Sequence, residues 1–363
     1  MRVLYTGYYR EKSQWGSEAT NNILALKSAG VDVVCRPIVF KNDREIPLEV
    51  RECEQKPLDD IDVHIQHVFP EHLTYSDNFK KNITILRNEY VSVGHSPWIE
   101  HLSMMDEVWV PSHRAAESLP SDLLNIRVIP KCFDVERYKS GVRPLNIPDA
   151  SDKFKFYTII DGGATNIATF IKCFHSEFDT CEDAACVVQI NGGQELIQAV
   201  DSAITSAKQS LGIHKDPTLF DKDVLIPNPE SHDSAPVHQW GDCYVCTSAE
   251  RSLTDKLFDA MAFGSTPIHA EDSDLSEYGS EHSVKSVYAI PDCTDNNWGG
   301  TYNGRNLQLR ACEAEMRQRM RALYEEWKNN PMCDIEKKKK GLTKALDFDL
   351  QVIGKQMKEA INA

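Results

Sequence analysis

The sequence predicts an α/β protein of two domains, each an open parallel sheet covered by helices. Three observations carry this expectation. Strand-like segments alternate with helical ones along the whole chain, the pattern of strands joined through helices. A length of 363 residues exceeds one comfortable domain and suits two of middling size. A weakly patterned, proline-containing stretch from Gly141 to Asp152 separates one series of such segments from a second and reads as the linker. Residues 1–145 and 153–335 are therefore read as two Rossmann-like domains, followed by a helix over 341–363.

In the first series, strands are expected at Arg2 to Tyr8, Val31 to Val39, Asp62 to Val68, Ile83 to Glu89, Glu107 to Val110 and Arg127 to Pro130. The clearest helix between them spans Glu18 to Ala29. Ala19, Ile23 and Leu26 recur at helical spacing, Ser17 stands ready as a cap, and Gly30 closes the helix. In the second series, strands are expected at Phe154 to Ile160, Cys186 to Ile190, Val224 to Ile226, Cys243 to Thr247, Thr266 to Ala270 and Val287 to Ile290, with a helix over Glu195 to Leu211. Two amphipathic stripes follow. Leu309, Cys312, Met316, Met320, Leu323 and Trp327 form one, and Leu346, Leu350, Ile353, Met357 and Ile361 the other; both read as core-facing.

Composition narrows the function. A net charge of −15 argues against extended contact with nucleic acid, although it leaves room for a local basic face. The dense basic run Lys337 to Lys340 reads as a solvated helix end or linker. No apolar run reaches the roughly 20 residues of a membrane span, and MRVLYTGYY reads as a first strand rather than a signal peptide, so cytosolic residence is expected. The 11 cysteines are then expected as reduced thiols. Cys243 and Cys246 form a C-x-x-C, and His64 and His67 are equally spaced, but residues three apart in a strand point to opposite faces and cannot chelate together.

The stretch Asp242 to Ile268 carries the most chemistry. It reads as a buried strand, a polar turn with Glu250 and Arg251, a helix opening at Thr254, a stop at Gly264 and another strand. Ligands of open parallel sheets sit at such strand ends, and a helix N-terminus there favours phosphate. Thr254 is a candidate N-cap, with backbone amides of Ser252, Leu253 and Asp255 around it. An anionic, phosphorylated ligand is expected.

The same stretch resembles the donor-site signature of retaining GT-B glycosyltransferases, in which Ser-x-x-Glu is followed by a second Glu seven residues on and by Ala-Met-Ala-x-Gly. Ser248, Glu250, Asp259, Ala260, Met261, Ala262, Gly264, Pro267 and Ile268 match in order. Asp259 replaces the second Glu, eight residues separate it from Glu250, and Arg251, Ser252 and Leu253 replace the loop glycines. The resemblance implies a GT-B fold, with the first domain binding the acceptor, the second binding a nucleotide-sugar, and a last helix crossing back onto the first. It further implies that Glu250 bonds the donor sugar, that Asp259 bonds the ribose hydroxyls, and that transfer retains the anomeric configuration with the leaving phosphate as base. Neither metal nor cofactor is implied, the nucleotide-sugar being a substrate. No D-x-D stands within Asp242 to Ile268.

Further segments extend the likeness. DEVWVPS, Asp106 to Ser112, resembles a family marker, with Val108 and Val110 in the sheet and Ser112 capping the next helix. Glu89, at a strand end, either projects into the cleft or makes a structural hydrogen bond; His95 either acts on an acceptor hydroxyl or lies at the surface. Gly16, ahead of the first helix, is a structural turn or a ligand contact, and resembles the glycine loop beneath the donor. VIPKCFDVERY is similar to the strand-turn between domains, with Lys131 and Cys132 where Asn and Gly are usual. After FYTIID, Gly162 and Gly163 form a flexible strand end. Ala164, Thr165 and Asn166 occupy the place of the two cations that neutralise the diphosphate in the family. Arg251 and Lys256 are the candidate substitutes.

The reading is thus a nucleotide-sugar glycosyltransferase with Glu250, Arg251, Lys256 and Glu89 as catalytic candidates. Two alternatives stand beside it: a GT-B protein that binds nucleotide or sugar without turnover, and a transferase acting on a modified DNA base. Glycan, lipid, protein and small-molecule acceptors all remain open.

Overall fold

The computed structural model describes residues 1–40, 44–87, 96–123, 125–143, 145–161, 167–212, 223–228, 233–247, 255–279, 285–293, 307–330 and 333–363. Its first sheet contains β1 (Arg2–Gly7), β2 (Asp32–Pro37), β3 (Val63–His67), β4 (Lys81–Ile85), β5 (Glu107–Val110) and β6 (Ile126–Val128), all parallel in the order β2-β1-β3-β4-β5-β6. Helices α1 (Gln14–Ser28), α2 (Leu48–Gln55), α3 (Trp98–Ser103) and α4 (His113–Glu117) connect the strands, and a short α5 (Glu136–Lys139) follows the sheet.

The second sheet begins with β7 (Phe154–Ile160), β8 (Ala184–Ile190), β9 (Asp223–Pro227) and β10 (Cys243–Tyr244), parallel in the order β10-β7-β8-β9. Every residue of β7 and β8 is buried, as sheets covered on both faces require, which is why these segments are mostly apolar, with Lys155, Thr158 and Gln189 the polar exceptions. Helices α6 (Ile167–Glu177), α7 (Gln194–Ser210), α8 (Ala235–Trp240) and α9 (Asp255–Phe263) accompany these strands. A bridge from Val245 to Ile268 continues the sheet into β11 (Ile268–Ala270), which pairs in parallel with β12 (Lys285–Val287) across α10 (Asp274–Tyr278). An antiparallel pair, β13 (Ala289–Cys293) and β14 (Leu307–Ala311), leads into α11 (Glu313–Asn329), α12 (Cys333–Ala345) and α13 (Leu350–Asn362).

Four expectations are corrected. Helix α1 starts a turn earlier than its apolar spacing indicated, because Ser13, not Ser17, is the cap: its side chain accepts from Gly16 N at 3.2 Å. The strand expected at Val287 to Ile290 is two strands, β12 and β13, broken at Tyr288. Leu309 belongs to β14 rather than to the stripe of α11, whose buried face is Met316, Met320 and Leu323. The lysine run 337–340 lies inside α12, where Lys337 pairs with Glu326 and Lys340 with Glu336.

Helix α13 packs on α1 of the first sheet. Ile353, Met357, Ala360 and Ile361 join the core around Val3, Ile23 and Leu26, while Lys358 donates to Ala29 O at 2.8 Å. The two helices approach so closely at Gly354 that a Cβ there would stand 2.0 Å from Ala25 O. Gly354→Ala is therefore expected to cost about 1–3 kcal/mol, although alanine favours a helix interior by about 1 kcal/mol. A lower urea midpoint at unchanged slope checks this; an unchanged or raised midpoint refutes the close contact.

Two further contacts join the halves. Phe133, past β6, stacks on Phe258 of α9 at 3.6 Å between ring centres. On α4, Ser112 caps its own helix by accepting from Ala115 N and also donates to Asp274, while Glu277 of α10 accepts from the His113 and Arg114 amides. A carboxylate from one half thus complements the positive end of a helix from the other.

Candidate functional site

A cleft of about 450 Å³ opens between the two halves, a volume typical of small-molecule sites. From the first half it is lined by Lys12, Ser13, Gln14, Ser17 and Arg44, and from α5 by Arg137. The second half contributes Asp161 just past β7, Asp233 and Ser234 ahead of α8, and Asp255, Lys256 and Asp259 along α9. The parallel topology sets this location, since β1 and β7 both deliver their following residues to the cleft.

The first turn of α1 faces this space with no acidic residue in it, so its amides and dipole favour an anion. Gly16 lies within that turn, not in a loop ahead of it. A Cβ there would come 2.0 Å from Glu11 O, so glycine lets the chain over Tyr8 to Ser13 fold down onto the helix start. Arg44 donates to Ser17 Oγ at 2.8 Å. Burial pulls the Arg44 guanidinium down from its ordinary value, against the pull of Asp255.

On the other wall, Lys256 Nζ pairs with Asp161 at 2.6 Å and lies 3.5 Å from Ile159 O. The Asp161 side chain is 44% exposed, so this ion pair is weakly held and its lysine can exchange partners. Asp255 opens α9, and burial raises its carboxyl pKa. One turn on from Lys256, Asp259 is only 7% exposed, and its two oxygens take separate bonds: Arg137 donates to Oδ2 at 2.6 Å and Tyr138 to Oδ1 at 2.5 Å. Burial pushes this carboxyl up to about 6, against the downward pull of Arg137 and Tyr138.

Beneath α1 lies a buried polar network that explains one departure noted in the sequence. Lys131 Nζ pairs with Glu18 at 3.0 Å, both side chains being more than nine-tenths buried. His67 Nε2 stands 3.8 Å from Glu18, and its Nδ1 bonds Tyr5 OH at 3.0 Å. Burial holds the His67 pKa near 4, so the ring is neutral. Asn22 donates to Tyr5 OH and accepts from Cys132 Sγ. Lys131 and Cys132, standing where Asn and Gly are usual, thus anchor the segment that leaves β6 to the helix that meets the cleft.

Of the residues singled out in the sequence, the structure brings together the α1 turn containing Gly16, Lys256 and Asp259. Glu89, His95, Gly162, Gly163, Glu250, Arg251, Ser252, Leu253 and Thr254 lie outside the described residues. Sequence reasoning missed Lys12, Arg44 and Arg137, whose common feature is reached only through tertiary structure. It also missed an aromatic group beyond the ends of β1, β2 and β3, where Phe40, 61% exposed, stacks on Tyr8 at 5.3 Å beside Trp15 and Phe69. Among the described residues, no group of three His, Cys, Asp or Glu side chains is placed to hold a metal ion, and no helix is long and apolar enough to cross a membrane. Cys243 and Cys246 are buried free thiols.

No protein-family model and no curated protein sequence matches the chain. Solved structures do. Anabaena Alr3699/HepE in complex with UDP superposes with a TM-score of 0.67 at 11% identity, covering 100% of both chains. Trehalose-6-phosphate synthase, OtsA, gives 0.64 at 8% identity, covering 100% of this chain and 99% of that one. Sucrose-phosphate synthase from Thermosynechococcus elongatus gives 0.60 at 11%, covering 100% and 98%. The fold is therefore GT-B, two Rossmann-like halves facing across a cleft with a last helix returning to the first.

Proposed function

We propose that the chain is a glycosyltransferase that moves a sugar from a nucleotide-sugar to an acceptor hydroxyl, with retention and without a metal. One observation carries the reading: α9 presents Lys256 and Asp259 one turn apart to a cleft whose opposite wall is a cation-flanked helix N-terminus. A nucleoside diphosphate fits those two groups. Lys256 exchanges Asp161 for the departing diphosphate, while the α1 amides, Lys12 and Arg44 supply further positive charge. Such preorganised groups stabilise charge that develops in the transition state.

Asp259 accepts from the ribose, Glu250 from the donor sugar, and Arg251 adds a second cation beside the phosphates, with the amides of Ser252 to Asp255 around them. Gly162 and Gly163 contact the donor. Glu89 and His95 act on the acceptor side. The leaving phosphate serves as base. Uridine nucleotides come first because HepE was crystallised with UDP and with UDP-glucose.

Thermal stabilisation across a panel of nucleoside diphosphates and nucleotide-sugars tests this. One nucleotide class should raise the melting temperature, by about 2.7 kcal/mol of stabilisation at a hundred times its dissociation constant, and Glu250→Ala should weaken the shift for nucleotide-sugars. If no nucleotide shifts the wild type, the reading fails. A shift without hydrolysis or transfer of the bound sugar would instead favour a binding protein.

A further inference from the structure

We propose that Arg137 and Tyr138, on the short helix that follows the first sheet, are positioning residues for nucleotide recognition. They fix the Asp259 carboxylate in the orientation in which it meets the ribose hydroxyls. The inference deepens the functional reading above and rests on it.

The geometry is specific. Asp259 belongs to α9 of the second half, and its two partners belong to the segment that leaves β6 of the first. Each partner takes a different oxygen, which stops rotation of the carboxylate plane. An ionised carboxylate has about four acceptor positions, so each oxygen keeps capacity for a further donor. Asp259 also lines the cleft, which is where such a donor would come from.

The partners are themselves held. The Tyr138 ring is buried, meets Phe263 edge-on at 4.9 Å, and lies 5.9 Å from Phe258. The Arg137 guanidinium lies 5.0 Å over the Tyr138 ring and 5.9 Å over Phe263. Arg137 is half exposed at the cleft, so its ion pair alone would be weak. The buried Tyr138 bond is the firmer constraint, because a buried acceptor left without its donor is costly.

The aspartate fits this arrangement. It is one methylene shorter than glutamate and has one torsion fewer to fix, so two fixed donors suffice to immobilise it. Phe133 stacks on Phe258 within the same segment, so the path of the linker and the orientation of the carboxylate are set by one packed cluster.

The test measures dissociation constants for the nucleoside diphosphate that stabilises the wild type, UDP first, and for its 2′,3′-dideoxy form. Wild type, Tyr138→Phe, Arg137→Ala, Arg137→Lys and Asp259→Asn are compared. Wild type should prefer the ribose form by tenfold or more. Tyr138→Phe should cut that preference severalfold while leaving dideoxy affinity within twofold; Arg137→Ala should cut the preference as well, and Arg137→Lys should restore part of it.

Equal loss for both ligands in Tyr138→Phe would mark a merely structural contact and overturn the proposal. So would an intact ribose preference in that variant, or a wild type that binds both forms equally. A wild type that binds no nucleoside diphosphate overturns the functional reading, and this inference with it. The melting temperature of Tyr138→Phe, the gentlest change, separates misfolding from loss of orientation.

Discussion

Lys131→Ala is expected to lower the unfolding free energy by about 3–5 kcal/mol, the usual consequence of stranding one member of a buried ion pair. Glu18 is 7% exposed and Lys131 6%, so water cannot replace the lost ammonium. In the wild type, burial raises the Glu18 pKa, but the charges of Lys131 and Arg87 outweigh it and leave the carboxyl below its ordinary value. That pairing contributes stability above the carboxyl's unfolded pKa, and the contribution is lost as pH falls through the folded one. Lys131→Ala should remove the acid-sensitive part of the stability, and Glu18→Gln in the same chain should recover much of the loss. Urea unfolding at pH 7 and pH 4 checks both expectations. A loss under about 1 kcal/mol would show that the network is solvated rather than buried.

The second large effect concerns turnover. Lys256→Ala is expected to reduce kcat by about 10²-fold, the order seen when one group that stabilises developing charge is removed. Stability should change by less than about 1 kcal/mol, because the partner Asp161 is substantially exposed and water takes over its bonds. Lys256→Arg should retain part of the rate. The readout is steady-state transfer beside the dissociation constant of the nucleoside diphosphate. A kcat within threefold of wild type would remove Lys256 from the reaction.

The fold was legible because parallel strands buried on both faces advertise themselves. FKFYTII and EVWV are assigned to the residue, since short, mostly apolar runs rich in β-branched and aromatic residues read as covered strands. Boundaries set by a cap were less legible: α1 starts where Ser13 bonds Gly16 N, a local event that apolar periodicity does not register. The break at Tyr288 was missed because β12, of three residues, and β13, of five, read together, resemble a single strand.

The site divides the same way. Lys256 and Asp259 are legible because they share one helix with the matching Ala-Met-Ala-x-Gly, so spacing alone puts them on one face. Arg44 and Arg137 reach the cleft from segments 93 residues apart, and no local pattern links them to α9. Lys131 offered a signal that went unread, a lysine within the buried run IPKCF, where a charge must have a partner.

The return of α13 to α1 also bears on how the protein is made. The hydrophobic interior of the first sheet includes Ile353, Met357, Ala360 and Ile361, which follow the whole second sheet in the chain. A ribosome therefore releases β1 to β6 long before that interior can be sealed. In the interval the part of α1 that α13 covers is open, and closing it pairs residues more than 320 positions apart, as between Ser28 and Leu350. Such late, distant closure slows folding and prolongs exposure of sticky surface. The nascent first half thus waits, unfinished, for its last helix.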